Sequence, residues 1–264
     1  MGKTEIIIKI SNTLAYLLFL TVNIIWGLGL NQKKSPYSHE SMNTYISPAF
    51  FTFYIWAFIH LFLAGFVVYQ SFKARDEILV KGIKWHFVIV SLLNALWLVL
   101  LQEDLILISW LLIIVAIWQI TVPYLALKKN FVTQDKYENL FIHIPFSLYH
   151  AWIFVIALLT TFALFTPYKP NDSDRDTPPV VLIFVILGLF LMEVAAILYI
   201  EKFNDVVGAS IIAWTLFGIA VEQTDLLIHW IALILTVVCT LHVFKPYFMR
   251  MIRKDRSNKY FGFF

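Results

Sequence analysis

The chain has 264 residues, 60% of them hydrophobic and only 14% charged, with a formal net charge of +3. Soluble domains carry about 25% charged residues, so an ordinary soluble fold is excluded, and so small a charge excess offers nucleic acid no basic surface. The lone cysteine, Cys239, rules out an intrachain disulfide and any multi-cysteine metal or iron–sulfur site.

Eight apolar spans follow one another, at about 8–30, 48–72, 83–101, 105–127, 145–166, 179–200, 206–221 and 226–248. The predicted fold is therefore all-α: a polytopic membrane helix bundle of about eight transmembrane helices. The first span is too long for the ~7–15-residue core of a signal peptide and is not followed by an A-x-A cleavage site. Gly2 lacks the Ser or Thr that myristoylation needs at position six, where Ile6 stands.

The second span, SPAFFTFYIWAFIHLFLAGFVVY over 47–69, contains no Asp, Glu, Lys or Arg. At 1.5 Å per residue it is long enough to cross a ~30 Å hydrocarbon core. Phe53, Trp56 and His60 fall at i, i+3 and i+7, on one helix face. Two readings stand there: a pocket wall of two rings and an imidazole, or helix–helix packing with His60 bonded to a neighbour. An ionisable group at that depth is a functional candidate by default.

The third span carries Asn94 and Trp97 at i, i+3, and a mid-membrane Asn commonly bonds across helices. The fourth holds Trp110, Trp118, Gln119 and, near its end, Pro123. The fifth opens IPFSLYHAW, with Pro145 in its first turn and Phe146, Tyr149 and Ile153 on one face; Trp152 lies beside Tyr149, and His150 falls close to the membrane edge. Thr166–Pro179 is the longest Pro- and Asp-rich polar join and includes the sequon at Asn171, a possible glycosylation site. The sixth span contains Glu193, the one acidic group well inside a span: either a proton or cation site, or a satisfied structural carboxyl facing the bundle. Two stretches, Val243–Arg250 and Val194–Lys202, fit the loose cholesterol-recognition pattern.

Sixteen of the 20 Lys and Arg residues fall at the two termini and the second, fourth and sixth joins. The positive-inside rule then puts both termini in the cytoplasm and favours an even number of spans. The expected divisions are a five-helix membrane core over 1–166, a polar loop over 167–178, a three-helix extension over 179–249 and a basic cytoplasmic tail over 250–264. No two histidines form an HxxxH or HExxH pair, so no metal site is expected, and nucleophile elbows, Walker loops and Rossmann glycines are absent. No catalytic residue is assigned, and an enzyme is the less favoured reading.

Three blocks in order, SPAFFTFYIWAFIHLFL, LLNALW and IPFSLYHAW, resemble the translocator protein family, also called tryptophan-rich sensory proteins. The resemblance covers about 8–166, and the later spans, with AWTLFGIAVEQ, resemble the extension of that family's long forms. It implies a five-helix bundle around a pocket for a hydrophobic ligand such as a tetrapyrrole or sterol, lidded by the join between the first two helices. Position by position, the implied pocket residues are Phe53, Trp56, Asn94, Trp97, Tyr149 and Trp152, with Pro48 and Pro145 setting helix starts. The chain departs from the pattern at Ile46-Ser47-Pro48, at His60 where a tyrosine is usual, and at Thr161 where an asparagine is usual. The resulting expectation is a binding or sensory membrane protein with no required cofactor and a possible tetrapyrrole ligand, its partners being membrane lipids, a hydrophobic small molecule and, as a possibility, a second copy. The alternatives are a proton-coupled transporter using Glu193 and His60, or a lipid-modifying enzyme in which the histidines and Glu193 converge.

Overall fold

The structure, a computed structural model, describes residues 3–28, 30–31, 43–72, 76–169 and 177–261, with side chains as far as Met249; Asn171 lies outside the described residues. Among the described residues, eight apolar helices run in the order expected. They are α1 (Lys3–Val22), α2 (Ile55–Phe72), α3 (His86–Gln102), α4 (Ile106–Lys129), α5 (Ile144–Phe165), α6 (Pro179–Phe203), α7 (Val206–Glu222) and α8 (Leu226–Phe261). Six of these segments are long and apolar enough to cross a membrane, and α3 and α7 are apolar helices of 17 residues. At 1.5 Å per residue, 17 residues reach about 25 Å, the lower end of the spanning range. The protein is an integral, multi-pass helical membrane protein, as its apolar outer surface also requires: Phe58, Leu61, Trp118, Leu187 and Trp230 all point outward.

Each helix stops where its chemistry changes. Proline lies in the first turn of α6, where no backbone hydrogen bond is lost, and Pro145 stands where the π-helical turn Asn139–His143 passes into α5. Asn204 ends α6 in the left-handed conformation (φ 48°), its N–H returning to the Ile200 carbonyl. Asp205 then caps α7 by accepting from the Gly208 N–H at 3.1 Å. Asp225 does the same ahead of α8, accepting from Leu227 and Ile228 at 3.0 and 3.3 Å.

Burial works against ionisation of Asp225, but hydrogen bonds from Thr177, Ile228 and Leu227 outweigh it and hold the carboxyl below the ordinary Asp value of 3.8. Its folded pKa is depressed, so its contribution to stability is full above that value and is lost as the pH falls through the folded pKa. Replacing Asp225 with Asn is expected to flatten the acid limb of the stability profile below about pH 4, which thermal unfolding in detergent at stepped pH measures. An unchanged acid limb contradicts the expectation.

The most buried helix is α5, packed against α2, α4 and α7. Around it, α3 pairs with α4, α1 with α3, and α6, α7 and α8 pack on one another. Ion pairs show which ends lie together. Lys9 of α1 meets Asp76 of the second join at 2.7 Å, Lys128 of α4 meets Asp205 of the sixth at 3.2 Å, and Lys245 of α8 meets Glu201 of α6. All of these belong to the side that carries sixteen of the basic residues, as up-and-down alternation of eight spans requires.

Two features differ from the sequence reading. First, the α-helical part of the second span begins at Ile55; residues Phe50–Tyr54 form a 3₁₀ turn. Here α7 holds the entry to the span: the Ala49 N–H, a donor no helix starting at Pro48 would satisfy, donates to the Gly218 carbonyl at 2.9 Å, and the Trp214 indole N–H donates to the Thr52 carbonyl at 3.1 Å, an acceptor a continuous helix would use. Gly218 permits this approach, since a Cβ there would lie 1.9 Å from the Thr52 hydroxyl oxygen and 3.2 Å from Pro48 Cβ. Gly218→Ala is expected to destabilise the protein by about 1–3 kcal/mol through overpacking, read as a lowered unfolding midpoint; a wild-type midpoint would show that the junction yields. Second, the last helix runs on past the apolar stretch to Phe261.

Candidate functional site

The residues singled out on α2 and α5 meet in one cluster of rings. Trp56 stacks on His60 with centroids 5.7 Å apart, and meets Trp152 edge-on at 6.1 Å and Tyr149 at 6.5 Å. Phe53, although on the 3₁₀ turn, still faces inward against Trp152 at 5.8 Å. Two rings from α1 complete the cluster. Phe19 lies 4.7 Å from His60, 5.8 Å from Trp56 and 5.7 Å from Tyr149, and the Tyr16 hydroxyl donates to the His60 carbonyl at 2.8 Å. Nothing local in the sequence marks Tyr16 and Phe19 among the 24 Phe and 12 Tyr of the chain.

Asn94 and Trp97 are fully buried on α3. The Tyr149 hydroxyl lies 3.5 Å from the Val90 carbonyl, one turn from Asn94 on the same helix face. Thr161 turns elsewhere: it accepts from the Trp110 indole at 2.9 Å, between α4 and α5.

The polar atoms of this cluster have an unusual inventory. Both ring nitrogens of His60 and the indole N–H of Trp152 are buried with no hydrogen-bond partner among the described residues, and on α3 the same holds for both amide atoms of Asn94 and the hydroxyl of Ser91. More than nine-tenths of buried polar groups in proteins are satisfied, because leaving one unmade costs roughly 1–3 kcal/mol. A site that gathers several such atoms around rings is therefore suited to a guest carrying both apolar area and hydrogen-bonding groups.

A cleft of about 260 Å³ opens between α1 and α2 onto this cluster. Its floor includes the buried Phe53, Trp56 and His60, and its rim the exposed Ile24, Leu28, Phe50 and Tyr54. Those rim side chains are apolar or amphipathic and face where lipid would be, so the cleft opens sideways toward the bilayer. Its volume lies just below the 300–1,000 Å³ common for small-molecule sites. A tetrapyrrole or sterol fits only in part unless α1 and α2 separate.

A second polar cluster joins the first five helices to the last three. His150 of α5 bonds Thr121 of α4 through Nε2 at 3.0 Å and the Tyr199 hydroxyl of α6 through Nδ1 at 2.6 Å, and stacks on Tyr124 at 4.1 Å. The Tyr124 hydroxyl donates to Asp205, which also receives Lys128. His150 is thus a seam residue between helices. Tyr199 is buried in the same seam, so the Val194–Lys202 stretch does not offer its tyrosine to a sterol.

Glu193 lies apart from both clusters. Its Oε1 sits 3.1 Å from Nδ1 of His242 on α8, while Oε2 is buried with no partner among the described residues. The structure does not bring Glu193 and His60 together as the transporter alternative needs: His60 is enclosed by Tyr16, Phe19 and Trp56. The reason is topological, since Glu193 is on α6, facing α8, and His60 faces α1. The histidines are likewise spread, His60 in the rings, His150 in the seam and His242 beside Glu193.

A family model described as TSPO-like protein matches residues 9–245, which takes in the ring cluster, the seam and nearly all of the last three helices. No curated protein and no solved structure matches the chain.

Proposed function

The chain belongs to the TSPO-like protein family, and on that premise we propose that it is a binding or translocator-type membrane protein for a hydrophobic, ring-bearing ligand of tetrapyrrole or sterol class. The ligand would be held against Phe53, Trp56, His60, Tyr149 and Trp152, with Asn94 and Trp97 behind them. The observation that supports this reading is a laterally open cleft whose floor holds stacked rings, among them His60, with both ring nitrogens buried and without a partner among the described residues. A bilayer-dissolved ring system would slide between α1 and α2, lay a face on Trp56 and Phe53, and place a carbonyl, carboxylate or hydroxyl where the His60, Trp152 and Asn94 groups can bond it. Aromatic pairing of this kind is worth about 0.5–1.5 kcal/mol per ring beyond area burial. No covalent step is required of any residue. The basic side of the bundle, with both termini, would face the cytoplasm.

Titrating the purified protein with protoporphyrin, and separately with a sterol, while following tryptophan quenching tests this. Wild type should saturate, and Trp56→Ala/His60→Ala should lose at least tenfold in affinity. Identical curves for the two proteins would remove the pocket assignment.

Glu193 supports a second reading. A buried carboxyl with one oxygen on His242 and the other without a partner can hold a proton within the bilayer. Transport coupled to it would appear as pH-dependent uptake into proteoliposomes that Glu193→Gln abolishes, whereas uptake unaltered by that substitution would leave Glu193 a structural group.

A further inference from the structure

We propose that α7 sets the width of the ligand cleft, and that Trp214, Gly218 and Gln223 are positioning residues for its wall; this rests on the cleft being the ligand site.

The wall in question is the 3₁₀ turn Phe50–Tyr54 and the strap of chain before it. Phe50, Phe53 and Tyr54 line the cleft. The other side of the same turn is held by α7: Phe51 packs on Trp214 at 5.3 Å and on Phe217 at 6.0 Å, and Thr52 presses on Gly218. A five-residue turn cannot shift one of these faces without shifting the other.

The strap is fastened along its length. The Gln223 amide donates to the Ser47 carbonyl at 2.7 Å and to the Thr44 carbonyl at 3.3 Å. Ala49 donates to Gly218 at 2.9 Å, and Trp214 donates to Thr52 at 3.1 Å. Attachments thus recur every few residues from Thr44 to Thr52. Gln223 is itself braced by Lys169, whose ammonium donates to its Oε1 at 3.3 Å. Ile46 is wedged on another side, against the space left by Gly188 of α6.

The opposite end of α7 is fixed too. Asp205, its cap, is bonded to Tyr124 and paired with Lys128, both on α4. The helix is therefore a strut. One end is anchored to the fourth helix in the polar seam, and the other carries the strap and the cleft wall. The facing wall is built from Leu20 of α1 and from Asn23, Ile24, Gly27 and Leu28 of the π-helical turn Asn23–Gly27 and its cap, which continue that helix. With the α2 wall held by α7, the residues of α7 decide how far that wall begins from the one facing it.

Stopped-flow measurement of protoporphyrin binding to the full-length protein in lipid nanodiscs tests this, with wild type compared to Trp214→Phe and Trp214→Phe/Gln223→Leu. The phenylalanine keeps a ring against Phe51 and removes the donor together with the outer ring of the indole. Dissociation is expected to be at least fivefold faster in the double variant and at least twofold faster in Trp214→Phe, with the helical signal retained; Gln223→Asn, which keeps an amide donor, should recover part of the change. Should the double variant not fold, Trp214→Phe alone decides. Wild-type rates in folded variants would overturn the role of α7 while leaving the pocket standing. Failure of wild type to bind at all would remove the pocket and this role together.

Discussion

Replacing Asp205 with alanine should cost about 3–5 kcal/mol of stability, the range expected when one member of a buried pair is removed. Asp205 is 2% exposed and carries three duties: it accepts from the Tyr124 hydroxyl at 2.9 Å, pairs with Lys128 at 3.2 Å and caps α7 through Gly208. Alanine removes all three and leaves Lys128, with little exposure of its own, without its counter-charge. Asn separates these effects. It is as good a cap as Asp and can still accept from Tyr124, but it cannot balance Lys128, so it should recover the capping share of roughly 1 kcal/mol and no more than part of the rest. Denaturation in mixed micelles, followed by helical signal, gives the comparison. Equal stability of wild type and Asp205→Ala would mean that the seam does not hold the extension to the core.

Asn94→Leu should have the opposite sign in the ligand-free protein. Both amide atoms of Asn94 are buried without a partner among the described residues. Exchanging them for methyl groups of similar volume removes an unsatisfied desolvation cost, a gain of about 1–2 kcal/mol. Affinity for protoporphyrin should fall at the same time if, as proposed, the ligand bonds the Asn94 amide. Gain of stability with loss of binding is what a group kept for a ligand shows. If Asn94 were a cross-helix clasp, the substitution would lower stability instead and leave affinity unaltered.

How much of this could be read in the sequence follows from the range of the interactions. Span number and order came from runs of apolar residues, a local property that the bilayer imposes directly. The rings on α2 and α5 came from local spacing as well: Phe53, Trp56 and His60 share a face even though the first of them lies on a 3₁₀ turn. Tyr16 and Phe19 escaped notice because a ring in an apolar helix carries no mark of which way it points. Gln223 reaches Ser47 across |i−j| = 176, and Trp214 reaches Thr52 across |i−j| = 162, separations at which nothing local signals contact. Asp205 could have been suspected: it is an acid directly before an apolar run, in the position of a helix cap. Asn12 and Gln70 could have been suspected on the same footing as Asn94, being polar residues inside apolar spans. They bond one another at 2.9 Å between α1 and α2, so they are the structural clasp that Asn94 is not.

The seam also alters what the last three helices are for. Through Asp205 they grip α4, through Tyr199 they grip His150 of α5, and through Gln223 they grip the start of the second span. Core and extension therefore share buried polar bonds at both ends of the bundle. Loss of the extension would expose the inner face of α5 and free the wall of the cleft.

Photo-crosslinking locates the ligand most directly. A photoactivatable sterol or porphyrin probe would be irradiated with the protein in nanodiscs, and the adducts mapped by peptide mass spectrometry. Adducts in 20–28, 50–60 and 149–152 that fade in Trp56→Ala/His60→Ala and under excess unlabelled ligand are the expected result. Adducts spread over outward side chains such as Phe58, Leu61 and Trp230, and insensitive to that substitution, would show that the rings of the core are packing and not a binding site.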